Sequence, residues 1–209
     1  MINEVVEMWV RGWTVSRATP APVAVPGGYR VDVGLPGHLT RYVLPRFEPA
    51  AVSRLAARDA VPGTWLKICA DPREVAGALP SNWQVQDPEY LMTVPLRPGE
   101  VDVPGGYTLS VDETAGVITA EVSDAAGRPA AAGRMARTGA YTVADQVHTD
   151  PAHRRRGLGS LVMKALSAHA AAAGARTGVL VATAEGCALY RTLGWNLLSP
   201  VTAAVARRP

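Results

Sequence analysis

The sequence predicts a mixed α/β fold in which helices flank a central, mostly antiparallel sheet. Three observations point there. Runs that alternate apolar and polar residues are interleaved with runs of helical period. The 20 glycines and 17 prolines are spread along the chain, which calls for many short elements joined by tight turns rather than a helical bundle. Hydrophobic residues make up 48% and charged residues 19%, enough for a buried core and against wholesale disorder.

The elements follow in order. The segment up to about Ala24, with Trp9 and Trp13, shows no clear period. Tyr29 to Val33 alternates and predicts a strand, and Arg41 to Leu44 a second. Pro49 to Ala60 has helical spacing, with Val52, Leu55 and Ala56 on one face. Thr64 to Cys69 predicts a buried strand. Pro72 to Leu79 predicts a short helix with proline at its start, where a missing N–H does no harm. Glu89 to Leu96 predicts a further strand. Arg97-Pro98-Gly99 has the composition of a linker, dividing the chain into a half at 1–98 and a half at 99–209. Val25-Pro26-Gly27-Gly28-Tyr29 recurs as Val103-Pro104-Gly105-Gly106-Tyr107, common turn chemistry that gains interest from the similar rhythm after it.

Tyr107 to Val111, Val117 to Val122 and Ala130 to Arg137 predict three antiparallel strands, the last two joined by a hairpin at Ala125–Arg128. Tyr141 to Thr149 predicts a fourth. A helix is expected from about Arg156 to Ala173, stopped by Gly174. Val179 to Ala182 predicts a buried strand, Glu185 to Leu193 a helix ended by Gly194, and Trp195 to Ala204 a last strand.

Composition narrows the function. The net charge is +3, and 19 of the 21 basic residues are Arg, the others being Lys67 and Lys164. Only Arg154-Arg155-Arg156 is dense, too narrow for a nucleic-acid stripe. Cys69 and Cys187 lie far apart and outside metal-ligand spacing, so free thiols and no metal are expected. No apolar run is long enough to span a bilayer and no secretory signal is visible, which predicts a cytoplasmic protein without a membrane partner.

The run Val147-His148-Thr149-Asp150-Pro151-Ala152-His153-Arg154-Arg155-Arg156-Gly157-Leu158-Gly159-Ser160 carries the chemistry. A strand leads through a turn into a helix that opens on glycines. A helix N-terminus leaves backbone N–H groups unpaired, and with the helix dipole these form an anion site. Gly157 and Gly159 remove side chains that would keep a diphosphate from those amides. A Walker loop would need Gly-Lys-Ser/Thr, and a dinucleotide fingerprint three spaced glycines with a later acidic residue; neither is present.

Arg154-x-x-Gly157-x-Gly159 after a strand resembles the coenzyme A signature of GCN5-related N-acetyltransferases. Ala188-Leu189-Tyr190-Arg191-Thr192-Leu193-Gly194-Trp195 resembles the helix-then-strand ending of the same family, at the right distance. The resemblance covers roughly residues 107 to 204. It departs at Thr183, where the family often has Asn, and in lacking the usual first strand and two helices ahead of Tyr107.

The resemblance implies an acyl-CoA N-acyltransferase fold with acetyl-CoA as cosubstrate and no metal. Val147 and Thr149 would pair with the pantetheine arm, and the Val147 amide would polarise the thioester carbonyl. The loop Arg154, Arg155, Arg156, Gly157, Leu158, Gly159 and Ser160 would hold the pyrophosphate, with His148 as a surface or coenzyme contact. Tyr190 matches the family's general acid and Asp145 the position of its base; strand alternation would put Asp145 on the face of Val147, with His148 turned away. His153 is expected in the turn and His169 as a packing residue. The acceptor would be the amine of a small molecule or peptide, and the assembly could be a homodimer. A non-catalytic acyl-CoA sensor whose N-terminal half binds a partner is the alternative. The N-terminal half repeats the order strand, helix, strand, helix, strand without the Arg-x-x-Gly-x-Gly run. It reads either as a degenerate acetyltransferase half that borders the acceptor cleft or as an unrelated cap.

Overall fold

A computed structural model describes residues 1–208. Helix α1 (Ile2–Ser16) precedes β1 (Val23–Val25), β2 (Gly28–Leu35) and β3 (His38–Leu44). Then come α2 (Pro49–Arg58), β4 (Thr64–Ile68), α3 (Pro72–Ala76), β5 (Trp83–Val85) and β6 (Glu89–Pro95). The second half holds β7 (Tyr107–Thr114), β8 (Val117–Asp124), β9 (Pro129–Thr138), β10 (Tyr141–Thr149), α4 (Leu158–Ala172), β11 (Thr177–Thr183), α5 (Ala184–Thr192) and β12 (Asn196–Ala206). The mixed α/β architecture is the one the sequence predicts.

All the strands belong to one sheet, ordered β1-β2-β3-β4-β12-β6-β11-β10-β9-β8-β7, with β5 beside β12. The centre of that order is a palindrome. In the first half β3 runs parallel to β4 after crossing through α2, and in the second β10 runs parallel to β11 after crossing through α4. Each half then lends its last strand to the other. β12 lies between β4 and β6, and β6 lies between β12 and β11. Trp83 and Trp195, which open the exchanged segments, are both buried. The Pro-Gly-Gly-Tyr recurrence does not mark this symmetry. Tyr29 sits on β2 next to β3, whereas Tyr107 sits on β7 at the far edge.

The faces are divided unequally. Tyr42, Leu66 and Ala204 pack under α2 and α3, and Met135, Ala144 and Leu180 under α4 and α5. By strand pairing these residues share one face. The opposite face carries α1 alone, whose Val6, Trp9, Val10 and Trp13 cluster with Val31 and Val43 from the first half and with Val143, Val179 and Val201. α1 therefore touches β2 and β3 as well as β9, β10 and β11, which are far apart in the strand order. The sheet must curl around it, so α1 fills a concave face shared by both halves.

Gly12 sets how closely α1 approaches β10. A Cβ there would stand 2.3 Å from Val143 Cγ2 and 2.6 Å from its Cβ. Val143 is fully buried and β-branched, so it cannot turn away. Gly12→Ala gains about 1 kcal/mol of helix propensity but overpacks a rigid contact, so a net loss of about 2 kcal/mol is expected. At this chain length that lowers Tm by about 4–8 °C in calorimetry.

Candidate functional site

β10 and β11 pair over only three residues, Tyr141–Val143 against Thr177–Val179. Beyond these the strands part, while β10 stays on β9 and β11 stays on β6. The parting opens a cavity of about 840 Å³ walled by β10, α4, β11 and α5. Val147, His148, Thr149, Arg154, Arg155, Gly157, Leu158, Gly159 and Ser160 line it, with Asp145 and Tyr190. Residues singled out from two separate stretches of sequence thus share one cavity.

Arg156 is the exception. Its guanidinium leaves the cavity and donates to Tyr107 Oη at 2.9 Å, in a separate hollow with His153, whose Nδ1 is 3.0 Å from the same hydroxyl. Only the backbone of Arg156 remains part of the loop. His169 meets Glu113 at 3.0 Å instead of serving the site.

The loop before α4 is shaped by two left-handed residues, Arg155 at φ 61° and Gly157 at φ 79°. Such a turn aims successive N–H groups into one concavity. The first intrahelical bond runs from Leu161 N–H to the Gly157 carbonyl, which leaves the amides of Leu158, Gly159 and Ser160 ahead of it. Gly159 lets α4 lie close: a Cβ there would meet Leu189 Cδ2 at 3.2 Å and Thr149 Oγ1 at 3.5 Å. The helix starts two residues later than the sequence predicts, since Pro151–His153 form a separate 3-10 turn capped by the Asp150 side chain.

The geometry of β10 corrects one expectation. Its register with β9 shifts between Asp145 and His148, and Gln146 carries a φ of 54°. This bulge adds a residue and flips the alternation. Val147 packs with the core under α4, and Thr149 reaches toward Gly159 on the same side. Asp145 instead lies on the α1 face. Asp145 and Val147 thus project to opposite faces, and His148 falls on the face of Asp145.

Asp145 is engaged there. Arg17, one residue past α1, donates to it through Nε at 2.5 Å and through its terminal nitrogen at 2.9 Å, and the Ser16 hydroxyl adds a contact at 3.2 Å. Tyr190 is 8% exposed and its ring lies 5.9 Å from that of Trp195. Burial, with a smaller push from the Asp145 charge, raises its phenol to about 12. It is therefore protonated throughout the neutral range. Thr183, the departure from the family's Asn, caps α5 by accepting the Gly186 N–H at 3.2 Å.

A polar basin with no counterpart among the sequence-based expectations adjoins Asp145 on the concave face. Trp13, His38, Arg41, Trp65, Lys67 and Glu89 form it. Alternation puts Arg41, Trp65, Lys67 and Glu89 on that face; His38, three residues from Arg41, reaches it from the start of β3, where the register with β2 shifts between Asp32 and Leu35, and the curl of the sheet brings them all to the end of α1. Lys67 is 6% exposed and bonds both oxygens of Glu89, at 2.6 and 2.5 Å. Arg41 lies flat over Trp13, 3.9 Å from its ring centre. Its Nε–H donates to His38 Nε2 at 3.2 Å. Burial, and then Arg41, Lys67 and Arg17 around it, hold His38 down at about 4.

This depression makes the fold sensitive to acid. An unfolded His38 takes a proton near the ordinary histidine value of about 6.5, whereas the native one resists until about 4. The unfolded state binds more protons across that window, so stability falls as pH drops from 6.5 to 4. Denaturant titrations should show a slope lower by up to one proton in His38→Gln than in the parent chain.

Residues 124–203 match the FR47-like protein family. No curated protein matches the chain. Among solved structures, a GCN5-related N-acetyltransferase from Kribbella flavida superposes with a TM-score of 0.69 at 18% identity, covering 100% of this chain and 96% of that one. A GCN5-related N-acetyltransferase from Sphaerobacter thermophilus gives 0.61 at 10% identity, over 98% and 92%. A tandem GNAT protein from the clavulanic acid biosynthesis pathway gives 0.56 at 12% identity, over 100% and 95%. The match to the FR47-like family thus spans β9 to β12, and along its whole length the chain has the fold of GCN5-related N-acetyltransferases.

Proposed function

We propose that the protein is an N-acetyltransferase that moves the acetyl group of acetyl-CoA to a primary amine by direct attack. The parting of β10 from β11 beyond Val143 and Val179, beside the glycine-opened start of α4, carries this reading. An added strand of ligand would take up the backbone groups that the parting frees, so the pantetheine arm would lie along Val147 and Thr149. The amides of Leu158 to Ser160 and the side chains of Arg154 and Arg155 would meet the pyrophosphate.

The amine nitrogen attacks the thioester carbon, the Val147 amide stabilises the oxygen as charge gathers on it, and the C–S bond breaks to release the thiolate. Tyr190 faces that thiolate. A phenol at about 12 holds its proton more tightly than a thiol does, so its main contribution is a hydrogen bond to the developing sulfur anion. Asp145, fixed by Arg17, receives the incoming ammonium on the concave side and passes its proton to water.

The N-terminal half is proposed to be a worn copy of the same module that now borders the acceptor cleft. Its β3 and β4 stay zipped over five residues, to Leu44 against Ile68, and α2 opens on Pro49-Ala50-Ala51 behind Glu48. It frees no strand edge and offers no glycine-lined anion site. The tandem GNAT protein among the structural neighbours fits this origin.

The test is a coupled assay for free thiol with acetyl-CoA and a panel of amines and peptides. Amine-dependent CoA release is expected. Saturable acetyl-CoA binding without release for any acceptor would leave a binding module in its place.

A further inference from the structure

The basin beside Asp145 carries an imbalance that the acetyl-transfer chemistry does not use. Three cations and two carboxylates meet there. Arg17 is matched by Asp145 and Lys67 by Glu89. Among the described residues no carboxylate lies within ion-pair distance of Arg41, although it is only 9% exposed. Buried charges are almost always paired, so an unmatched one needs a reason.

The way Arg41 is held supplies it. Trp13 supports the flat face of the guanidinium, and the neutral His38 takes its Nε–H. The two terminal nitrogens are left as a fork with no protein partner. Among the described residues the sealed, unpartnered side-chain atoms are Thr19 Oγ1 and Thr142 Oγ1. The Arg41 nitrogens are not among them: the side chain is largely buried but not sealed, at 9% exposed. A planar fork with two parallel donors is the geometry that accepts a carboxylate end-on.

The position also fits. Arg17, which holds Asp145, lies 5.7 Å from the same Trp13 ring that carries Arg41, and Asp145 lines the acyl cavity. On the other side Glu89 pairs in the sheet with Thr183, which lines that cavity too. Arg41 and the Arg17–Asp145 pair therefore flank the same Trp13 ring at the end of α1, and Asp145 reaches from there into the cavity wall. His38 lies between the rings of Trp13 and Trp65, at 6.0 and 5.5 Å, giving the basin an aromatic wall.

We propose that the acceptor is an amino carboxylate, a small amine whose own carboxylate seats on the Arg41 fork while its amino group faces Asp145 and the thioester. This rests on the acetyl-transfer reading of the cavity. It goes beyond that reading in naming the acceptor's class and the residue that selects it.

The experiment compares matched acceptors: a set of amino acids, their carboxamides, and the amines lacking the carboxyl group, for example phenylalanine, phenylalaninamide and phenethylamine. With the parent protein, kcat/KM should favour the carboxylate form by about 100-fold or more, since removing one partner of a buried charged hydrogen bond leaves the other unpaired. Arg41→Gln should erase that preference yet keep turnover of the carboxylate-free amines, which also shows that it folds. Arg41→Lys should retain part of it, through KM. If carboxamides and simple amines are acetylated as well as amino acids, or if Arg41→Gln keeps the preference, the proposal is overturned while acetyl transfer stands. If no acceptor of any set releases CoA, the transferase reading falls and this proposal with it.

Discussion

Replacing Tyr190 with Phe should lower kcat about 100-fold while leaving acetyl-CoA affinity within about twofold. The ring is held by packing: it is buried in α5, next to Trp195, and the Trp195 N–H bonds the Tyr190 carbonyl. Phe preserves all of that and removes only the hydroxyl, so the fold and the cofactor cavity should survive. What is lost is the one phenolic donor on the cavity wall. The expected size stays at the low end for acid catalysis because a phenol raised to about 12 transfers its proton uphill to a thiolate. The same shift sets the pH profile. The group loses its proton only near 12, so kcat of the parent protein should show no alkaline fall assignable to it below about pH 10. Full turnover of Tyr190→Phe at every pH would remove Tyr190 from the chemistry.

Gly159→Asp should weaken acetyl-CoA binding by at least about 100-fold without unfolding the chain. Position 159 is the second residue of α4, where an acid is favourable to the helix dipole and where glycine costs helix stability. The protein loses little. The ligand loses much, because a carboxylate would stand in the concavity proposed to hold the pyrophosphate. Two like charges about 4 Å apart near a surface repel by about 4 kcal/mol, enough for the stated loss and more. The side chain must also push past Leu189 and Thr149. Isothermal calorimetry together with a melting curve separates the two effects. Retained affinity would place the pyrophosphate elsewhere.

The second half of the fold was legible because its residue types report backbone needs directly. Gly157 and Gly159 mark the tight, glycine-opened start of α4, and the family resemblance picks out residues that the fold brings to one cavity. Helix α1 was not legible. Gly12 in its interior and its many β-branched residues depress helix propensity, and what fixes it is burial against Val143 and Val179 from distant strands. The bulge at Gln146 left no signature in residue type, and it alone reverses the relation of Asp145 to Val147. The exchange of β6 and β12 was hidden because the chain is read half by half, while pairing crosses between the halves. The basin around Arg41 depends on the curl of the whole sheet. Its residues come from α1, β3, β4 and β6, and no spacing along the chain announces that they meet at the end of α1.

The central claim is that only one of the two mirrored strand pairs is open to acyl-CoA. Backbone amide shifts recorded by NMR during an acetyl-CoA titration test it most directly. Saturable shifts are expected at Val147 and at Leu158 to Ser160, with none at the matching start of α2, Ala50 to Ser53. Shifts at α2, or none at the start of α4 under saturating acetyl-CoA, would contradict it.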